Sequence, residues 1–599
     1  MESRRRPSAA SCTVAAAAGT GAGGTVRRSV ARRVPFAPRS RVSVGSGLWA
    51  WMLLAFGCPS PPGRLGFPFP PARLGRLFAP GALGALFVPA ALGADALEVG
   101  DGREFLRIED ALAKAQPGDT IRVHPLSGGR AYERPALLVR KPRIALVAVR
   151  GPGGKRVRLD GTGFEYSGAG STPRAIVQFD PGADGSSLEG FELSGARNGS
   201  ANGAGVRINQ ANDIAIRDCE IHHCDMGIMS NGEVSKGSAR NQAIEACEIH
   251  ENGSELHAGY NHNLYLGGTS VLLRGSNVWG ATTGHNFKSR AHLNWIEASY
   301  VHDSANREFD LVDQEGNTDV PESHSVIAGC VIAKAREIRG NRAVIHFGQD
   351  GGKDHRGTLY LVHSTIITPY AAPVVEVSAP GASLLIQGTV VWDGGAGQPG
   401  QVLAAVRGGA TLERISGRAN WISRNFSIPP ALSGAGSGPA GRGAGGPAPA
   451  RRAPGDGEGR SGGAASGVRP AGAAGGGGDP GGAPREGGAG VEEAPFAGSW
   501  RGEIRLLRAP GPALIDRGGA LGDLDLPARP REAERKGPPR LFEYREPAGA
   551  VPRRDDGRLD LGAFEAPEAR EASSETSSGG SDAGKPTGAS GVRRPSRGG

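Results

Sequence analysis

The sequence predicts an all-β solenoid, a coil of short strands in which each turn stacks on the last, and three observations predict it. The stretch Tyr260-Asn261-His262-Asn263-Leu264-Tyr265-Leu266 recurs in altered form as Gly284-His285-Asn286-Phe287-Lys288-Ser289-Arg290. Phe287 falls 23 positions after Leu264, and Phe309 falls 22 after Phe287. From about Ile176 onward, brief runs of β-branched and large apolar residues alternate with Gly, Asn and Asp. Ile214-Ala215-Ile216-Arg217-Asp218-Cys219-Glu220-Ile221-His222 is matched by Ala243-Ile244-Glu245-Ala246-Cys247-Glu248-Ile249-His250. Looser copies end at Ser276-Asn277-Val278, Ser299-Tyr300-Val301-His302, Cys330-Val331-Ile332, Ser364-Thr365-Ile366 and Gly388-Thr389-Val390. With Cys219 as the register mark the steps are 28, 29, 23, 31, 34 and 24 residues, irregular but persistent. A propeller blade needs about 40 residues and four strands, and a leucine-rich repeat needs its leucine and asparagine ladder, so neither fits as well.

The first element is a basic leader over residues 1–94. It holds twelve arginines, one acidic residue and no lysine, a net +11 against +9 for the whole chain. Everything after Ala94 is therefore close to neutral, so the body lacks the electrostatic footprint of a nucleic-acid binder. Arg73 and Arg76 precede an apolar run from Leu77 to Ala94, the pattern of a secretory signal cut near Ala94. Its distance from Met1 leaves open whether residues 1–72 are an over-extended start or an unusual leader. A second apolar run, Leu48 to Phe56, matches a lipoprotein-type signal poorly, and neither run gives the roughly 20 unbroken apolar residues of a spanning helix. A secreted, periplasmic or cell-surface location is expected.

Residues 95–430 form the expected coil. Ile108, Ala111, Leu112 and Ala115 recur at helical spacing and Pro117-Gly118 stops them, which predicts a short amphipathic helix covering the open end of the stack. A strand follows at Thr120 to Val123. Residues 431–495 are built almost wholly from Gly, Ala, Pro, Ser and a few charges. They offer little area to bury against the entropy of ordering, so a disordered insertion is expected there and again over 566–599. Residues 496–565 read as a C-terminal segment or cap of the coil. Six cysteines are present, and Cys219, Cys247 and Cys330 share one repeat position, which favours stacked inward thiols beside Cys224. A Cys219–Cys224 or Cys219–Cys247 disulfide is the alternative in an exported chain, and zinc-ligand spacing is absent.

Setting Leu264, Phe287 and Phe309 in register places Tyr265, Lys288 and Asp310 one above another. Alternation turns them away from the apolar interior onto one solvent-facing strip. His262, His285, Asn286, Arg290, Arg307 and Glu308 enrich the patch, and His346 extends it one coil further. An acidic sugar chain gives this strip a purpose. In β-elimination from a uronate a base removes the proton beside the carboxylate, the developing charge is held, and an acid assists the departing oxygen. Lys288 would be the base if its pKa were lowered, Arg290 or Arg307 would hold the carboxylate, and Tyr265 or His285 would be the acid. Asn263, Asn286, Asn294, His262 and His346 are the candidate substrate contacts. Glu308, Asp310 and Asp313 are candidate oxygen ligands for Ca²⁺, the one cofactor considered, and no organic cofactor motif occurs. Each has a structural reading. The asparagines would be a turn ladder, Lys288 with Asp310 would be an ordinary ion pair that raises the lysine pKa, and His222, His250 and His302, which recur in the repeat's own register, would line a strand end. Hydrolysis through Asp303, Asp310 and Asp313 is the enzymatic rival, and a carbohydrate-binding or structural coil needs no shifted lysine.

The chain resembles the right-handed parallel β-helix proteins, the superfamily that includes pectate lyases and alginate lyases. The resemblance runs roughly from Ala96 to Trp421 and again from Trp500 to Glu565. It rests on the opening helix with Pro117-Gly118-Asp119-Thr120-Ile121, the coil repeats, and the closing Asp555-Asp556-Gly557-Arg558-Leu559-Asp560-Leu561-Gly562-Ala563-Phe564-Glu565. It implies a right-handed parallel β-helix with an N-terminal capping helix. Lys288-Ser289 with Asn294 looks like the segment of alginate lyase and chondroitinase B-type enzymes whose lysine is the base. Those enzymes carry an arginine one coil later, where this chain has Glu308-Phe309-Asp310, with Arg307 the nearest arginine. The fuller segment, Gly284 to Ala291 with Asn294 and Asp310, looks more like bacterial β-helix proteins without an assigned activity. The expected partner is an acidic polysaccharide or other glycan, with no nucleic acid and no stable protein partner, and the protein is expected to be a monomer.

Overall fold

The computed structural model describes residues 96–396, 398–433, 495–496, 502–508, 510, 514, 517, 524–532, 540–554 and 559–566. The chain divides into two units, Met1–Leu86 and Phe87–Gly599, and all described residues belong to the second. The expected leader and, of the insertion expected over 431–495 and the tail expected over 566–599, residues 434–494 and 567–599 lie outside the described residues; residues 431–433 belong instead to a short helix, Pro430–Ser433.

Each coil contributes three short strands, as in Ala204–Asn209, Ala215–Arg217 and Glu220–His222. Like strands of successive coils pair in parallel and build three long ladders. The third ladder is an 11-stranded sheet. The first two are continuous because Leu264–Arg274 and Phe287–Glu297 each run through the corner, which makes a 20-stranded sheet. Most inward positions are apolar. Ile228, Leu264, Phe287, Phe309, Ile345 and Val375 stack in register, and the Phe287 and Phe309 rings lie 5.5 Å apart. All are fully buried, and alternation of period two sends their neighbours outward.

A helix, Ile108–Lys114, precedes the strand Thr120–Val123, and its Ile108 and Ala111, with Ala115 after it, join the central core. At one corner the backbone N–H of several rungs donates to the side chain of the next. Cys247 donates to Ser276 Oγ, Ser276 to Ser299 Oγ and Cys330 to Ser364 Oγ, each at 3.2 Å. The four described cysteines are free and buried, so the stacked thiols are present and the disulfides are not. The last repeat mark shifts by one residue. Thr365 pairs with Val390, so Thr389 rather than Gly388 takes the rung after Ser364, and Gly388 forms the corner at φ +64°.

The described residues from 495 to 566 add no strand to the parallel ladders. Instead they lie along the outside of the coil. Phe496, Ile504, Leu507, Leu514, Tyr544 and Phe564 bury against Tyr300, Val331, Ile367, Val390 and Trp392 of the 11-stranded sheet. Leu541, with Leu524, Leu526 and Leu559, packs on Leu272, Trp295, Val326 and Val362 of a second face. Neither cluster includes a residue of the face that carries Tyr265, Lys288 and Asp310.

Candidate functional site

The outward column of that face is continuous in register. Gln178, Arg207, Met229, Tyr265, Lys288, Asp310, His346 and Glu376 stand on successive rungs. The expected stacking of Tyr265, Lys288 and Asp310 is present, but the expected exposure is not. Lys288 is 9% exposed and Asp310 2%. Alternation sets the direction of a side chain, and neighbouring charged groups then cover it.

Asp310 is the hub. Lys288 Nζ lies 2.7 Å from its Oδ2, while His346 Nδ1 at 2.9 Å and Arg307 Nη1 at 3.3 Å approach its Oδ1. His285 Nε2 stands 3.4 Å from Oδ2. Burial alone would raise the Asp310 pKa, but these partners hold it well below the usual carboxylate range. At neutral pH His285 is uncharged, because burial pushes its pKa down to about 4, so the His346 hydrogen bond and the Lys288 charge carry the effect. His346 Nε2 meets Ser378 Oγ at 2.6 Å, and Arg307 Nη2 lies 3.5 Å from Glu376.

Lys288 has a second carboxylate. Asp350, in the segment after the strand Ile345–Gly348, places Oδ2 2.9 Å from Lys288 Nζ and 2.6 Å from Arg290 Nη2. Burial would lower the Lys288 pKa, but Asp310 and Asp350 outweigh it and hold it above the ordinary lysine value. Both carboxylates work against the expected role of Lys288 as proton acceptor, since a general base must be unprotonated near the working pH. Nor is the Lys288–Asp310 pair the expected surface ion pair, because both partners are buried. Arg290 Nε donates to Tyr265 Oη at 3.1 Å, which leaves the tyrosine's own proton unengaged by that contact.

The remaining candidates divide. His262 stacks on His285 with ring centroids 5.1 Å apart and accepts the His285 backbone N–H at Nδ1, 3.0 Å. Burial, with His285 and Lys288 adding to it, pushes the His262 pKa well down, so it stays neutral and positions its neighbour. Asn263 and Asn286 do not reach the strip. They are fully buried at a corner, where Asn252 Nδ2 donates to Asn263 (2.9 Å), Asn263 to Asn286 (2.8 Å) and Asn286 to Glu308 Oε2 (2.6 Å). Lys334 closes this inner ladder 3.2 Å from Glu308, and neither side chain is exposed. Asn294 lies at another corner, bonded to Ser289 and Ser325. These asparagines satisfy turning backbone and are too deep to touch a glycan.

The three proposed calcium ligands do not fit one ion. Glu308 faces Asn286 and Lys334, and Asp310 faces cations. Asp313 accepts the backbone N–H groups of Asp350, Gly351 and Lys353 at 2.5, 2.7 and 2.6 Å, which anchors the segment bearing Asp350. Among the described residues no group of three or more His, Cys, Asp or Glu side chains is arranged to hold a metal.

Sequence reasoning missed Asp350, Glu376, Arg207 and Lys334. Glu376 was within reach of the same register carried one coil past His346, and Arg207 of that register carried two coils before Tyr265. Asp350 was not, since it comes from a loop that no strand spacing specifies.

No family model and no curated protein matches the chain. Among solved structures it is similar to pectate lyase Pel9A, at 13% identity over 56% of this chain and 82% of that one, with a TM-score of 0.37. It is also similar to an alginate lyase from Paenibacillus sp. str. FPU-7 (14% identity, 56% and 99% coverage, TM-score 0.33). A third is pectin methylesterase PemA from Erwinia chrysanthemi (10%, 57% and 93%, TM-score 0.28). The protein is a parallel β-helix. At these identities the likeness is one of fold, and the chemistry rests on the strip itself.

Proposed function

We propose that the protein binds an acidic, uronate-containing polysaccharide along the strip, with Lys288, Arg290 and Arg307 receiving its carboxylates. The observation that carries this reading is Asp350. Its side chain is 42% exposed, and its carboxylate is held by Lys288 and Arg290 together. A uronate carboxylate is the same chemical group, and arginine with lysine forms a charge-assisted seat for it. The face is also the one that the apolar clusters of the C-terminal segment leave clear. The signal-like run ending near Ala94 supports an extracellular or periplasmic setting for such a ligand.

Cleavage by β-elimination is the second reading, favoured by the Arg290 to Tyr265 contact. There Lys288, kept protonated, neutralises the substrate carboxylate instead of taking a proton. Neutral His285 takes the proton beside that carboxylate, the carbon–oxygen bond to the leaving sugar breaks as the double bond forms, and Tyr265 protonates the departing oxygen.

Full-length protein mixed with alginate, pectate or chondroitin sulfate tests both, by calorimetric binding and by ultraviolet absorbance of unsaturated ends. Binding without absorbance supports recognition alone. A rise that Tyr265→Phe and His285→Gln each abolish supports elimination. Neither signal on any of the three glycans overturns the proposal.

A further inference from the structure

Charge is balanced unevenly along the column. At the Lys288 end each cation has a carboxylate partner. Arg290 meets Asp350, Arg307 meets Asp310 and Glu376, and Lys288 meets two acids. Three rungs earlier the balance fails. Arg207 is partly buried, and its contacts are Asn231 Oδ1 at 3.2 Å and the Met229 sulfur at 3.9 Å. Arg174, also partly buried, reaches only the Ser167 carbonyl at 3.1 Å and Asn202 Oδ1 at 3.5 Å. Among the described residues neither guanidinium has a carboxylate within ion-pair distance. Asp180, which lies on the same side, is bound to Arg140 at 3.0 Å, Gln178 at 2.7 Å and Asn209 at 3.2 Å. Burial, reinforced by the Arg174 charge and partly offset by Asp180, lowers the Arg207 pKa below its ordinary value. Each guanidinium therefore has only neutral acceptors among the described residues. Desolvated charge without a partner is unfavourable, and an anion removes the penalty.

The floor beside them is apolar. Ala175, Ala204 and Met226 are buried together, with Met229 and Tyr265 partly buried against them. Met229 and Tyr265 occupy the two rungs between Arg207 and Lys288. At the usual strand spacing of about 4.8 Å those three steps span about 14 Å.

We infer that Arg207 and Arg174 form a preformed carboxylate subsite, the anchor of an acidic oligosaccharide that runs over Met229 and Tyr265 to the Lys288–Arg290 seat. The inference rests on the proposed function and deepens it. The Lys288–Arg290 seat already holds the Asp350 carboxylate and must release it, whereas the Arg207 subsite accepts an anion without displacing any protein group. The ligand is then a polyanion several sugars long with a charge near each end of this span, and neutral glycans are excluded.

The test uses full-length protein with hexameric galacturonate and hexameric mannuronate, each also as its uncharged methyl ester. The expected result is that Arg207→Gln and Arg174→Gln each weaken binding of an acidic hexamer by about tenfold, with a shallower salt dependence. Arg207→Lys should restore part of the loss, and melting should be unchanged, because Arg207 makes one hydrogen bond to oxygen. Wild-type binding that both glutamine variants reproduce would overturn the subsite and leave the proposed function standing. Equal binding of the methyl esters would also overturn it. Failure of the wild type to bind either acidic hexamer removes the reading on which the subsite rests.

Discussion

Replacing Asp310 with Asn should destabilise the protein by about 3 kcal/mol. The carboxylate is 2% exposed and lies within 3.4 Å of Lys288, Arg307, His346 and His285. Removing one member of a buried charged network costs about 3–5 kcal/mol, because the remaining charges lose their partner without regaining water. Asn keeps the shape and can still accept a hydrogen bond, and Lys288 retains Asp350, so the low end of that range applies. Urea unfolding followed by tryptophan fluorescence measures the loss, with Asp350→Asn as the control. Asp350 is 42% exposed, and its substitution should cost under about 1 kcal/mol. The two variants should also differ in their response to acid. The Asp310 pKa is depressed in the folded state, so its stabilisation is present above the ordinary carboxylate value of 3.8 and is lost as pH falls below it. Asp310→Asn should lack that acid-sensitive component. An Asp310→Asn protein within about 0.5 kcal/mol of wild type, or no less stable than Asp350→Asn, would refute the claim that Asp310 organises the strip.

Three further outcomes follow from the same geometry. Asp350→Ala should tighten binding of an acidic hexasaccharide several-fold by calorimetry, since it vacates the Lys288–Arg290 seat; weaker binding would mean that Asp350 itself contacts the ligand. Lys334→Met should cost about 3–5 kcal/mol by leaving Glu308 buried and unpaired, and adding Glu308→Gln should recover much of it in urea unfolding; a double variant as unstable as the single one would contradict this account. Burial pushes His285 and His355 down to about 4 and His262 well below its usual value, so stability is full above about pH 6.5 and falls as pH drops towards 4. Three histidines kept neutral give a slope of up to roughly 4 kcal/mol per pH unit, and His285→Gln should reduce it by about a third; unfolding free energies that do not change between pH 7 and 5 would exclude it.

Much of the fold was legible because the signals were periodic. Large inward side chains at Leu264, Phe287 and Phe309 pin the register, since a one-residue slip would expose all of them. The strand Thr120–Val123 and the shared cysteine position follow from equally local patterns. The site was legible only as a column. Alternation gives the direction in which Lys288 and Asp310 leave the strand, but the burial of Lys288 depends on Asp350, which arrives 62 residues later from a loop. The asparagines were ambiguous for a related reason. Asn286 lies two residues from Lys288, yet it turns into the corner because the chain bends there and needs a partner for the His302 carbonyl, which it meets at 2.6 Å.

Within Asn286-Phe287-Lys288-Ser289, each side chain serves a different part of the coil. Asn286 joins the inner corner ladder, Phe287 the core, Lys288 the outer column, and Ser289 bonds Asn294 at 2.6 Å. The two polar ladders are built to different ends. The inner one runs from Asn252 to Lys334 and pairs each member with the next in full burial, which is how a polar network specifies structure. The outer one is incompletely satisfied. His285 Nδ1 and Arg307 Nε are buried without a partner, Arg207 and Arg174 face neutral acceptors, and Asp350 stays accessible between two cations. The C-terminal segment packs on two other faces of the coil and leaves this third surface to its own polar network. The acidic ligand proposed above would complete that unsatisfied charge.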